Sequence, residues 1–175
     1  KRNADIVLSP RPNDYHPDHR YTGVLVQDAS YLVIVPNIAS DINPLTKNPL
    51  FLYLNDNFKR PNPFQPDIVV TIDKSIDKKI NALDAHVSQM YEWIPWTMGE
   101  ENTVPKGKTN RKKWLKDRWR GNSKISNEEG ESLEKWYGGQ SRKDVKYIEV
   151  FEVCEYGNRP TDKQILRLFP MLNKI

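Results

Sequence analysis

The sequence predicts an α/β fold, a three-layer α/β/α sandwich with a largely parallel sheet, and three observations carry this prediction. Short apolar runs rich in Val, Ile and Leu occupy residues 4–8, 50–54 and 67–72. Uninterrupted apolar runs of this kind are typical of strands that are buried on both faces of a sheet. The segment 73–92 has helical periodicity, and strands separated by helices indicate a sheet covered by helices.

The first half of the chain contains two of these strands and one ambiguous segment. The strand at 4–8 ends before Pro10 and Pro12, which interrupt the run. Residues 20–33 fit a helix face, yet the overlapping run 31–35 would also suit a strand. Three prolines between residues 59 and 66 predict an extended connection to the third strand.

The third strand precedes a helix that we predict over residues 73–92. Asp73 is its expected N-cap, since aspartate accepts hydrogen bonds from the first helical N–H groups. One apolar stripe runs along this helix and consists of Ile76, Ile80, Leu83, Val87 and Met90. The stripe is expected to pack against the sheet.

The composition changes between residues 96 and 146, which we interpret as an insertion into a domain formed by 1–95 and 147–175. Residues 106–120 contain eight Lys or Arg and a single acidic residue, and a Glu-rich stretch follows at 128–134. Both stretches suit short surface helices. Residues 147–156 return as a strand, and Thr161 with Gln164 forms a capping box for a last helix over 162–169.

The length and the residue content limit the classes of protein. A chain of 175 residues suffices for one domain with a core. Cys154 is the only cysteine, so no intrachain disulfide forms, and the longest apolar run, 31–36, is too short to cross a bilayer. The chain begins with Lys1, almost inside its first strand, so we expect further sequence upstream, and no compartment follows from the sequence.

The candidate metal-binding and catalytic side chains lie in the segment His16-Pro17-Asp18-His19. This segment follows the first strand by a few residues, and ligands of open α/β sheets bind at the carboxyl ends of strands. Pro17 disfavours helical geometry at His16, so we predict a loop here and a helix from about Arg20. A neutral imidazole is a good zinc ligand, although a bare His-x-x-His pattern belongs more often to a polar turn.

Several segments resemble the LmbE/PIG-L family of zinc-dependent N-deacetylases, which includes the N-acetylglucosaminyl-phosphatidylinositol de-N-acetylases. Residues 11–20 resemble the second conserved block of that family. Lys79, Leu83, Ala85-His86 and Ser88-Gln89 resemble its later helix, and the segments 155–157 and 168–170 resemble larger bacterial members. The resemblance implies a Rossmann-like, LmbE-like core, of which this chain would be a partial domain.

The resemblance also implies roles for individual residues. His19 would bind Zn²⁺, His16 would stabilise the oxyanion or protonate the leaving amine, and Asp18 would be the partner of His16. Further residues expected near the substrate or behind these side chains are Asp14, Arg20 and His86. The family also uses an earlier His-Pro-Asp-Asp block, which this sequence lacks, so we expect the chain to be the C-terminal portion of a longer enzyme.

Two functions from different classes follow from these features. The first is zinc-dependent removal of an N-acetyl group from an N-acetylglucosamine-type sugar or glycoconjugate. The alternative is a non-catalytic α/β module that binds a glycan or a polyanion through the Trp-rich basic insertion, where Trp114 and Trp119 accompany the cations of 106–120. Such a basic run is more commonly a solvated helix face, so nucleic acid is not an expected partner.

Overall fold

A computed structural model describes residues 3–121, 125–138 and 144–172, which belong to two compact units. The first unit comprises the described residues of 1–70, 127–142 and 149–175, and the second those of 71–126 and 143–148. The predicted division of the chain at residues 95 and 146 stays a prediction.

Four strands form one open sheet in the order β1-β2-β4-β3. Their bounds are Ile6–Ser9 for β1, Leu50–Leu54 for β2, Ile68–Thr71 for β3 and Ile148–Val153 for β4. β1 runs parallel to β2, with Ile6 opposite Leu50, whereas β2 and β4 are antiparallel, with Leu52 opposite Val153. The mixed α/β class is confirmed, while the three-layer sandwich and the largely parallel sheet stay predictions.

Burial differs among the three strands that the sequence predicted as fully buried. Leu50 through Tyr53 of β2 and Ile68 through Val70 of β3 are buried, as expected. In β1 only Ser9 is buried, and Leu8 is 50% exposed. The expectation is wrong for β1 because only one of its faces is covered: Val7 packs against the buried cluster of Phe51, Tyr53 and Cys154, whereas Leu8 on the opposite face is open to solvent.

The helix after the first strand begins earlier than predicted. α1 spans Pro17–Leu32, so residues 31–32 are helical rather than extended. His16 is its N-cap, with φ −86° and ψ 134°, and Pro17 occupies the first turn. Proline suits this position because its missing N–H has no helical partner there. His19 therefore lies in the first turn of α1 and not in a loop.

α1 approaches the loop after β1 very closely at Gly23. An added Cβ at Gly23 would lie 2.7 Å from the Pro10 carbonyl oxygen and 2.9 Å from the Arg11 carbonyl carbon. Both atoms belong to the backbone, so they cannot move aside as the end of a side chain could. Gly23 thus allows α1 to pack on the loop that leads from β1 to the histidines.

Replacing Gly23 by alanine is expected to lower the free energy of unfolding by about 1–3 kcal/mol, the usual cost of overpacking a tight contact. Urea denaturation followed by circular dichroism measures this change. Thr22→Ala, at the neighbouring exposed position of α1, is the control and should change stability little. Equal stabilities of the two variants would contradict the close contact.

The second unit replaces one predicted helix by several shorter elements. α2 spans Ile76–Asp84, a π-helical turn spans Gln89–Trp93, and α3 spans Ile94–Thr97. The single helix over 73–92 is therefore wrong. The N-cap is Ser75, while both carboxylate oxygens of Asp73 accept the Lys146 backbone N–H at 3.2 Å.

The break in the predicted helix coincides with a buried polar contact. Asp84, the last residue of α2, is 8% exposed and accepts a hydrogen bond of 2.7 Å from the hydroxyl of Tyr91. Burial, and next this hydrogen bond, raise the pKa of Tyr91 to about 12. The tertiary contact between these two side chains accompanies the change in helical geometry that apolar periodicity alone does not predict.

The charged stretches form the helices α4, Lys108–Gly121, and α5, Asn127–Tyr137. Each helix also buries apolar side chains, Leu115 in α4 and Leu133 with Trp136 in α5. The last helix, α6, spans Asp162–Leu168 and has the predicted capping box of Thr161 and Gln164. Over the described parts of the chain, no helix has the length and apolar character that crossing a bilayer requires.

Candidate active site around His16 and His19

The loop between β1 and α1 brings the two histidines together at the start of the helix. Their ring centroids are 5.0 Å apart. The imidazole of His16 is 46% exposed and that of His19 is 50% exposed. The two predicted residues are therefore neighbouring imidazoles that a solute can reach. They lie after the carboxyl end of β1.

Hydrogen bonding at the N-cap determines the tautomer of His16. Its Nδ1 accepts the backbone N–H of Asp18 at 3.2 Å, so a neutral ring carries its proton on Nε2. The Asp18 carboxylate is 3.9 Å from the same Nδ1 and 88% exposed, which is too far for a hydrogen bond. The structure thus places Asp18 beside His16 without the expected hydrogen bond, because the helix cap uses that nitrogen.

Asp14 is the carboxylate that organises the pair. Its Oδ1 lies 3.1 Å from Nδ1 of His19 and accepts the backbone N–H of His16 at 3.0 Å. The side chain is only 12% exposed, so solvent competes weakly for it. When Nδ1 of His19 donates to Asp14, Nε2 is the unprotonated nitrogen, as in carboxylate–histidine pairs at metal centres.

Arg20 and Tyr15 complete the loop. Nη1 of Arg20 donates to the backbone carbonyl oxygens of Asp14 at 3.1 Å and Tyr15 at 2.7 Å. The Tyr15 ring meets both imidazoles edge-on, with centroid distances of 5.9 and 5.8 Å. Arg20 therefore fixes the backbone that carries the site, a role that the resemblance left open between substrate contact and support.

Sequence analysis missed a buried ionic anchor under the start of this loop. Arg11 is 5% exposed, and its Nε and Nη2 bind the two carboxylate oxygens of Asp56 at 2.7 and 2.6 Å. The same guanidinium donates to the carbonyl oxygens of Phe58 at 2.8 Å and Asn62 at 3.0 Å. No local pattern signals this contact, because Asp56 is 45 residues away in the chain.

A second carboxylate lies near this anchor. Oε2 of Glu152 is 3.7 Å from Nη1 of Arg11 and accepts the backbone N–H of Gln65 at 3.0 Å. Burial raises the pKa of Glu152, although these two donors act in the opposite direction. The hydrogen bond to Asp56 raises the pKa of Arg11 above its usual value, despite burial. The guanidinium thus stays charged between two acidic side chains.

Asp56→Asn is expected to lower the free energy of unfolding by roughly 3 kcal/mol, since it removes the carboxylate that forms both short hydrogen bonds with the buried guanidinium. Denaturant titration measures the change. Asp162→Asn is the matched control, because Asp162 is 64% exposed and its 3.0 Å contact with Lys135 is a surface ion pair, worth at most about 1 kcal/mol. Equal losses in both variants would contradict the role of Arg11 as an anchor.

His86, the third histidine, belongs to the second unit. It is exposed and follows α2 in the second unit, where its backbone N–H donates to the Leu83 carbonyl oxygen at 3.0 Å. Its expected approach to the histidine pair stays a prediction.

The described residues do not complete a metal site by themselves. Across 3–121, 125–138 and 144–172, no group of three or more His, Cys, Asp or Glu side chains is placed to hold a metal ion. His19 is suited to be one zinc ligand. Its imidazole nitrogen is a common zinc ligand, and the carboxylate of Asp14 orients the ring, as carboxylates do behind metal-binding histidines. A catalytic zinc takes three protein ligands, so further ligands would have to come from elsewhere.

One of the comparisons with known proteins found a solved structure with a similar fold, and the comparison with family models found no match. A solved structure with a similar fold is the N,N′-diacetylchitobiose deacetylase from Pyrococcus horikoshii in complex with its inhibitor MPG, at 20% sequence identity and a TM-score of 0.51. The match covers 86% of this chain and 45% of the deacetylase chain. The matched part of this chain therefore spans less than half the length of this structural neighbour.

Proposed function

We propose that this chain forms part of a zinc-dependent deacetylase that removes the N-acetyl group from an N-acetylglucosamine-type sugar. One observation carries the proposal: Asp14 binds Nδ1 of His19, whose ring centroid is 5.0 Å from that of His16. This arrangement offers an oriented metal ligand beside a hydrogen-bond donor. The similar fold of a diacetylchitobiose deacetylase supports the choice of reaction and of substrate class.

In this proposal His19 supplies one zinc ligand through Nε2. In the same proposal, a segment beyond these 175 residues would supply the remaining ligands, since the described residues contain no three-ligand group. Bound zinc would supply a Lewis acid for the acetamide carbonyl and lower the pKa of a bound water. Asp14, being nearly buried, keeps the His19 ring in the tautomer and orientation that this ligation requires.

His16 serves as the donor to the oxygen that gains negative charge during amide cleavage. Its Nδ1 is occupied by the Asp18 N–H, so Nε2–H is the group that a neutral ring can donate. The position of His16 at the N-terminus of α1 adds to this effect, because a helix N-terminus favours nearby negative charge. A donor fixed in this way stabilises an oxyanion without reorganisation.

An acetate-release assay tests the activity. The complete protein is loaded with zinc and incubated with N,N′-diacetylchitobiose, and acetate and free amine are quantified. Equal amounts of the two products are expected. Absence of acetate from zinc-loaded, folded protein would contradict the proposed reaction.

A further inference from the structure

Two exposed tryptophans of the second unit form an aromatic surface. The rings of Trp93 and Trp96 stack with centroids 5.2 Å apart and planes inclined by 29°. Trp93 is 52% exposed and Trp96 is 61% exposed. Contiguous exposed apolar patches rimmed by polar residues mark binding surfaces, whereas single exposed apolar residues do not.

The local backbone accounts for the pairing of these rings. Trp93 ends the π-helical turn Gln89–Trp93, and Trp96 lies in α3, three residues later. Residues three apart on a helix are neighbours on its surface. A π-helical turn is rare and is frequent at functional sites, so the geometry that exposes this pair is itself unusual.

Polar groups surround the tryptophan pair. One open depression is lined by Ser88, Tyr91, Glu92, Trp93, Trp96 and Glu101. Glu92 and Glu101 are exposed, so their carboxylates can accept hydrogen bonds from a ligand. The depression therefore combines flat apolar faces with acceptors, and among the described residues no cationic side chain belongs to its lining.

We propose that the Trp93–Trp96 pair is a carbohydrate-binding platform. The apolar C–H face of a pyranose ring suits an exposed indole, and its hydroxyl groups suit the carboxylates of Glu92 and Glu101. The negative charge of these two residues opposes a polyanion such as nucleic acid. The platform does not depend on the histidine pair, and binding there needs neither zinc nor acetyl hydrolysis.

The basic helix does not offer an equivalent aromatic surface. In α4, the Arg118 guanidinium lies 5.2 Å from the centroid of Trp114, and the Lys79 ammonium lies 4.4 Å from that of Trp119. Both indoles also pack against the apolar core of the second unit. Arg118 forms an ion pair with Glu100, so internal contacts engage part of the charge that suggested polyanion binding.

Isothermal titration with soluble tetrasaccharides tests the platform. The ligands are a neutral β-glucose tetramer, the N-acetylglucosamine tetramer and the glucosamine tetramer. Wild-type protein is expected to bind at least one of them, and Trp96→Ala and Trp93→Ala should each weaken binding at least about tenfold. Tyr31→Ala is the control, because Tyr31 is 67% exposed and lies in the first unit.

The three sugars distinguish stacking of the pyranose rings on the tryptophans from an ionic contact with the two glutamates. Equal binding of all three would assign recognition to the pyranose faces alone. Preference for the glucosamine tetramer, reduced by Glu92→Gln or Glu101→Gln, would add an ammonium–carboxylate contact to the same platform. Circular dichroism of the variants checks their folding, and Trp96→Phe, which keeps an aromatic face, should restore part of the affinity.

Three results would overturn the platform. The first is failure of folded wild-type protein to bind any of the three sugars. The second is sugar binding that Trp93→Ala and Trp96→Ala leave unchanged. Binding of a single-stranded oligonucleotide that depends on Trp96, without sugar binding, would likewise assign the surface to another ligand. None of these measurements involves acetate release, so failure of the platform and failure of the deacetylase proposal are distinguishable.

Discussion

Replacing His16 by asparagine is expected to lower kcat for acetate release by at least about a hundredfold, the usual loss when one oxyanion donor is removed. The complete zinc-loaded protein and N,N′-diacetylchitobiose are used for this measurement. Asparagine is a preferred N-cap residue, so it can replace Nδ1 of His16, which accepts the Asp18 N–H. The variant therefore removes the imidazole Nε2–H and preserves the start of α1.

His16→Ala separates catalysis from helix capping. Alanine removes both the donor and the cap, so it should lose the same factor in kcat and, in addition, about 1 kcal/mol of stability. The asparagine variant should unfold at the same denaturant concentration as wild type. An activity of His16→Asn within twofold of wild type would remove His16 from the reaction.

His19→Ala is expected to abolish stoichiometric zinc in the complete protein, as measured by elemental analysis after gel filtration. The ring of His19 is the one that Asp14 orients, and a three-ligand site that loses one ligand no longer retains its metal during purification. Acetate release should be lost in parallel.

The third histidine is the matched control for this experiment. His86 is also exposed, and His86→Ala should retain its zinc. Asp14→Asn should give an intermediate result, since substitutions behind a ligand typically cost about 10–100-fold in metal affinity. Full zinc occupancy in His19→Ala, or loss of zinc from His86→Ala alone, would exclude the proposed ligand role.

Local chemistry predicted several elements closely. β2 has the bounds of the predicted strand at 50–54, because its apolar run is buried and terminated by polar residues. The capping box of Thr161 and Gln164 needs only neighbouring residues, and it forms as predicted. Elements that depend on distant partners were predicted less well, as the break between α2 and the π-helical turn shows.

The candidate site shows the same division between local and distant contacts. The position of His16 and His19 after a strand was predictable from four consecutive residues. Asp14 was expected behind these side chains, but its hydrogen bond to His19 was not predicted. The role of Asp18 as the partner of His16 stays a prediction; its carboxylate is 88% exposed and 3.9 Å from the imidazole. Asp56 escaped prediction as well, since its contact with Arg11 joins segments that only the folded chain brings together.

Anomalous diffraction at the zinc edge, from crystals of the complete zinc-loaded protein, tests the metal ligand directly. A single strong peak is predicted at about 2.0–2.1 Å from Nε2 of His19, with the Nδ1 side of the ring still bound to Asp14. A zinc peak remote from His19, or a His19 ring turned away from the metal, would contradict a deacetylase site built on this histidine.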